Sequence, residues 1–153
     1  LRCGCGSWGC LEAYSSGPAM VAQALRALVH QSDTLIRDMV ENDFSRVSPK
    51  IIAEAAQKGD TIAVEIIERA GYYIGQALSC ICVVVNPEMI VIGGGVAQAG
   101  ELLFKSIEQG LRERLFIIPV DTIRLVPAQL GMDAGAIGTA TWAKERLEKG
   151  VIG

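Results

Sequence analysis

Apolar residues recur at helical spacing along most of the chain, most clearly in its middle. After Asp60, a residue type that caps helices, Ile62, Ile66, Ile67, Ala70, Ile74, Ala77, Leu78, Ile81, Cys82 and Val85 keep a three-and-four spacing. Glu65, Glu68 and Arg69 occupy the other face of the first half. From Tyr72 onward polar residues nearly vanish, so the second half is expected to be buried nearly all round until Asn86-Pro87 stops the helix. Shorter amphipathic pieces precede it. A helix near Cys10, including Leu11 to Tyr14, is interrupted by Gly17-Pro18, and Pro18 opens a second helix running to about His30. Val21, Ala24, Leu25 and Leu28 form its apolar face. Ser32 to about Glu41 reads as a short helix capped at Ser32 or Asp33, with Ile36, Met39 and Val40 inward. Ser48 before Pro49 starts another that ends near Gly59.

Beyond Pro87 the pattern changes. Met89 to Ile92 predicts a short, fully buried strand ended by Gly93-Gly94-Gly95. A helix from about Gly100 to Arg114 buries Leu103, Phe104, Ile107 and Leu111, and Thr122 to Val126 alternates as a second strand. Asp133 is expected to cap a last helix that opens on Ala134, Gly135, Ala136, Gly138 and Ala140 and closes on a charged face before Gly150. Two strands joined through a helix imply a parallel pair, which needs cover on both faces and belongs to a larger sheet. The expected fold is therefore a helix-rich part of an α/β domain, with several sheet strands missing upstream of Leu1.

Composition narrows the function. The chain has 153 residues, 50% apolar and 20% charged, with a net charge of −3. Intrinsic disorder is excluded by the apolar content, and no Lys/Arg cluster offers a nucleic-acid footprint. No apolar run is long enough to span a bilayer and no signal peptide opens the chain, which points to a soluble, cytoplasmic protein. The start at Leu1 rather than Met, directly before a cysteine cluster, reads as a cut.

Five cysteines fall in two groups. Cys80 and Cys82 sit in the apolar stretch Ala77 to Val85 and read as small buried hydrophobes. Cys3, Cys5 and Cys10 lie within eight residues, interleaved with Gly4, Gly6 and Gly9 that let the backbone fold tightly. Soft thiolates converging this way suit zinc, which takes four tetrahedral ligands in a structural site. The fourth ligand is either His30, the sole histidine, or a residue before Leu1, and the second is the better explanation. The bland alternative is a glycine-rich loop with incidental cysteines. Gly93 to Gly95 follow a strand and precede a helix, where open α/β sheets bind ligands through exposed backbone N–H groups. They match neither the dinucleotide fingerprint nor the Walker pattern, and a plain tight turn is the competing reading. Glu12 opens a helix, where its charge is favourable, and could point at a substrate from a rigid metal knot.

Three motifs carry a resemblance. Cys3-Gly-Cys-Gly-x-x-Gly-Cys10-Leu-Glu12, Asn86-Pro87-Glu88-x-Ile-Val-Ile-Gly-Gly-Gly-Val96 and Leu130-Gly-x-Asp133-Ala-Gly-Ala-Ile-Gly-Thr-Ala140 resemble, in order and spacing, the motifs of the ROK family (repressors, open reading frames and sugar kinases). The tail is most similar to bacterial glucokinases, which commonly carry Asn where this chain has Met132. The resemblance implies the C-terminal portion of an actin-like ATPase fold built from RNase-H-like lobes, with a hexose and Mg-ATP in the cleft. It implies zinc on Cys3, Cys5, Cys10 and an upstream histidine, Glu12 on sugar hydroxyls, and Gly93, Gly94 and Gly95 lining the nucleotide site. The family's catalytic aspartate lies upstream, so no catalytic residue is assigned here. By this reading residues 1–153 are a partial C-terminal lobe: a zinc-motif segment (1–16), a helical region (17–85) and a nucleotide-site region (86–153). The expected activity of the parent is ATP-dependent hexose phosphorylation, with the fragment itself inactive. The alternative is the sugar-binding domain of a ROK transcriptional repressor, which alone would bring nucleic acid in as a partner. A homodimer is expected in either case.

Overall fold

Short polar side chains set the helix starts of the N-terminal half. In the computed structural model, which describes residues 1–150 and only the backbone of Met132, α1 (Glu12–Ser15) leads into α2 (Gly17–Val29). Ser16 Oγ accepts the Ala19 N–H at 3.2 Å ahead of that second helix, and Ser48 Oγ accepts the Ile51 N–H at 3.4 Å to open α4 (Pro49–Gln57). Between them, α3 (Leu35–Met39) is capped by Thr34 and not by Ser32 or Asp33. The reason is a distant partner. Asp60 Oδ2 accepts from Thr34 Oγ1 at 2.8 Å and from the Leu35 N–H at 2.5 Å, while its Oδ1 accepts the Ala63 N–H at 2.7 Å to cap α5 (Thr61–Val85). One buried carboxylate thus starts two helices.

Met20, Ala24 and Leu28 of α2, Ile52 of α4, and Ile67 and Ala70 of α5 close into one core with Leu103, Ile107 and Leu111 of α6 (Glu101–Arg112). Helices α5 and α6 cross at glycines. A Cβ on Gly75 would overlap the Ile107 carbonyl oxygen, and one on Gly110 would overlap that of Tyr72. Backbone contact this close is open only to glycine.

The strands β1 (Met89–Ile92) and β2 (Arg124–Pro127) pair in parallel, with Met89 opposite Arg124 and Ile92 opposite Pro127. The second strand begins two residues later than the alternation suggests, because Val120–Thr122 form a 3-10 turn in which Thr122 Oγ1 donates to the Pro119 carbonyl at 2.7 Å. The final helix, α7 (Ala134–Glu148), starts without a side-chain cap. Asp133 is itself helical, as the last residue of the turn Gly131–Asp133, so its carboxylate does not take the capping position.

Three expectations of burial are corrected. The end of α5 is not buried all round: Ile81 is 53% and Val84 is 84% exposed, and Val83 and Val85 are open as well. Met89 and Val91 of β1 are exposed on one sheet face, because no further strand or helix covers it among the described residues. Cys82 is buried as expected, but Cys80 points outward. No described helix is long and apolar enough to cross a membrane.

Candidate functional site

The cysteine segment folds as a small hairpin. Cys3 N–H donates to the Ser7 carbonyl at 2.8 Å, Gly6 N–H to the Cys3 carbonyl at 3.0 Å, and Gly9 N–H to the Leu1 carbonyl at 3.0 Å. Gly6 (φ +91°) and Gly9 (φ +77°) take backbone conformations that L side chains rarely adopt, which explains glycine at both positions. Reversal at Gly6 brings the thiols together: the sulfurs of Cys3, Cys5 and Cys10 all lie within 4.8 Å of one another, and Cys5 to Cys10 is 3.6 Å.

This arrangement fits a metal centre. Zn–S bonds of about 2.3 Å at tetrahedral angles place sulfurs about 3.8 Å apart, so the hairpin needs little adjustment to present three ligands. The thiols also differ in acidity. Hydrogen bonding from the Ser7 backbone, then from Cys10 and Cys3, draws the Cys5 thiol down to about 7. Donation to Cys5 first, then interaction with Cys3, pushes Cys10 up to about 11. One thiolate is therefore accessible near neutrality, and a divalent ion would favour deprotonation of the others. His30 is not part of this cluster. It ends α2 at the C-cap and lines a cavity between α2 and α5, so the structure gives it no place beside the three sulfurs.

Glu12 is the first residue of α1, exposed and two residues past Cys10. Its Oε2 accepts from Cys3 Sγ at 3.6 Å, a contact that spacing did not announce. The carboxylate thus lies beside the same hairpin that gathers the thiols.

The glycine turn lies elsewhere, at the carboxyl ends of both strands. The Ala128 N–H donates to the Ile92 carbonyl at 2.8 Å, and a Cβ on Gly93 would meet the Ala128 side chain at 3.3 Å. Gly94 (φ +80°) again requires glycine, whereas Gly95 has open space around it. A cavity of about 270 Å³ opens between Gly95 and α4, with Lys50, Glu54, Gln57 and Gln98 as its polar lining. None of these four was singled out from sequence. The helix of Lys50, Glu54 and Gln57 was legible, but which of its faces meets the glycine turn depends on a contact some 40 residues away.

A family model described as the ROK family matches residues 1–146. The chain belongs to the ROK family. A glucokinase of Halalkalibacterium halodurans is 33% identical over 152 residues, covering 97% of this chain and 46% of its own length. The crystal structure of a ROK family glucokinase from Streptomyces griseus in complex with glucose and AMPPNP matches with a TM-score of 0.82 at 33% identity, over 95% of this chain and 47% of that one. The DNA-binding transcriptional dual regulator NagC of Escherichia coli is 29% identical over 153 residues, 99% of this chain and 36% of its own length. This ROK chain spans about half the length of the curated relatives it matches. Its helix-rich α/β architecture is that of a portion of the actin-like ROK kinase fold, as the motifs led one to expect. Met132, where glucokinases commonly carry Asn, has a side chain outside the described residues.

Proposed function

We propose that this chain is the C-terminal portion of an ATP-dependent hexose kinase of the glucokinase type, which transfers the γ-phosphate of Mg-ATP to a sugar hydroxyl. The observation that carries the reading is the placement of Glu12, exposed at the head of α1 two residues after Cys10, the last of three convergent thiols. A carboxylate carried on a helix that starts directly after such a hairpin accepts hydroxyl hydrogen bonds of the kind a sugar offers. Cys3, Cys5 and Cys10 would hold zinc with a fourth ligand from the parent; when bound, the ion would cross-link the hairpin and keep its sulfurs as thiolates. Gly93, Gly94 and Gly95 would line the nucleotide site, with backbone N–H groups free to approach phosphate oxygens. The segments 1–16, 17–85 and 86–153 then divide the partial lobe into zinc-motif, helical and nucleotide-site parts. The likeness to a glucokinase crystallised with glucose and AMPPNP supports a hexose and ATP as partners. Such a parent works in the cytoplasm and as a homodimer.

Phosphoryl transfer depends on positioning and charge stabilisation, and this chain would supply part of each surface. The general base would come from the rest of the parent, so the chain by itself is expected not to phosphorylate glucose. The NagC likeness favours one other reading, a sugar-binding domain of a repressor. A coupled assay on the longer parent separates the two. The kinase reading predicts hexose phosphorylation, a raised sugar KM in Glu12→Gln, and a raised ATP KM in Gly94→Val. A parent that binds sugar and operator DNA without phosphorylating any hexose would establish the repressor instead.

A further inference from the structure

A groove with different chemistry lies between α2 and α5. It encloses about 430 Å³, within the range of about 300–1,000 Å³ typical of small-molecule sites. Arg26 and His30 enter it from α2, and Glu65 and Arg69 from α5. Each pair is four residues apart and so projects from one helix face. Gln23 and Ser32 add neutral polar groups, over an apolar floor that includes Ile66.

The groove holds two guanidinium groups in a chain of net charge −3. Among the described residues, neither Arg26 nor Arg69 forms an ion pair within 4.0 Å. The end of α2 would ordinarily repel an anion through its free carbonyls. Here three of the last four are taken: Arg26 O accepts the His30 N–H at 3.1 Å, Ala27 O accepts the Ser32 N–H at 3.1 Å, and Leu28 O accepts the Arg37 guanidinium at 2.6 Å. Two exposed arginines against one carboxylate leave an excess positive charge facing the cavity.

We propose that this groove is a second ligand site, separate from Glu12 and from Gly93–Gly95, for the phosphate monoester of a polyhydroxylated small molecule, the sugar monophosphate class. The forked donors of Arg26 and Arg69 match phosphate oxygens, and the His30 ring adds a further donor. Glu65, Gln23 and Ser32 face the hydroxyls. The phosphate half of the assignment rests on the groove alone, and the sugar half rests on the hexose-kinase reading.

Titration calorimetry of the 153-residue chain with glucose 6-phosphate, inorganic phosphate and glucose tests it. Glucose 6-phosphate should bind about tenfold more tightly than inorganic phosphate, and saturating glucose should not displace it. The exposed double variant Arg26→Gln/Arg69→Gln should weaken binding by about tenfold or more, as expected when charged hydrogen bonds are removed, while Glu12→Gln leaves it unchanged. No binding by the wild-type chain, or equal affinity in the double variant, would overturn the site. Inorganic phosphate binding as tightly as the ester would overturn the monoester assignment. Loss of binding in Glu12→Gln would place the ester at the sugar site, overturning the groove proposal while leaving the kinase reading intact. Failure of the kinase reading in the coupled assay would leave the arginine-dependent binding measurable.

Discussion

Along α5, the turns carrying Ile66, Ile67, Ala70, Gly71 and Gly75 are buried among the other helices, whereas Ile81, Val83, Val84 and Val85 are half or more exposed. The second stretch is, if anything, the more apolar, since Glu68 and Arg69 fall within the first. What differs is the neighbour: the first is crossed by α6, whose Gly110 lets the backbones touch, and the second has no described element over its outer face. Apolar sequence therefore specifies that a surface will be covered when a partner exists, and shaped contacts specify which partner. Met89 and Val91 of β1 are likewise exposed, on one face of the two-stranded sheet.

The largest effect is expected at the crossing of α5 and α6. Alanine ordinarily favours a helix over glycine by about 1 kcal/mol, but at Gly75 its Cβ would strike backbone atoms of α6. Gly75→Ala should therefore lose about 3 kcal/mol or more in a denaturation experiment, as overpacking against rigid neighbours does; a gain would refute the crossing. Asp60→Ala comes next. It removes caps from α3 and α5 together and should cost about 2–3 kcal/mol, measurable as a lowered urea midpoint. Cysteines sharpen the contrast at smaller scale. Cys82→Ser should cost about 1–2 kcal/mol by burying a hydroxyl, whereas the exposed Cys80→Ser should stay within about 0.5 kcal/mol. Smallest in stability is Val84→Ser/Val85→Ser, which should change folding by less than about 0.5 kcal/mol yet reduce self-association in light scattering. A wild-type chain that is monomeric at high concentration would show that this apolar end needs no cover.

These features differ in how far sequence reveals them. The Ser48-Pro49 start, the Asp60 cap and the stop at Asn86-Pro87 were legible because each acts on backbone within a few residues. The Thr34 cap was misplaced because its anchor, Asp60, lies 26 residues away. The Gly71, Gly75 and Gly110 contact was also missed, although glycines four apart in an apolar helix are a signal for close crossing. At the site, three thiols within eight residues announced their own convergence, whereas the Cys3–Glu12 contact and the groups facing Gly95 depend on tertiary placement. His30 shows the converse, since a ligand residue type carries no information about which cavity it will line.

Cys3, Cys5 and Cys10 converge on one hairpin suited to a metal ion, and Glu12 starts the helix that follows it. The most direct measurement is zinc content, by elemental analysis after reconstitution and dialysis, of the purified chain and of Cys5→Ser side by side. Removing one of three convergent thiolates should lower retained zinc at least several-fold, because the hairpin then offers only two sulfurs. Equal zinc in the two proteins would contradict the assignment, and with it the basis for placing Glu12 in a sugar site.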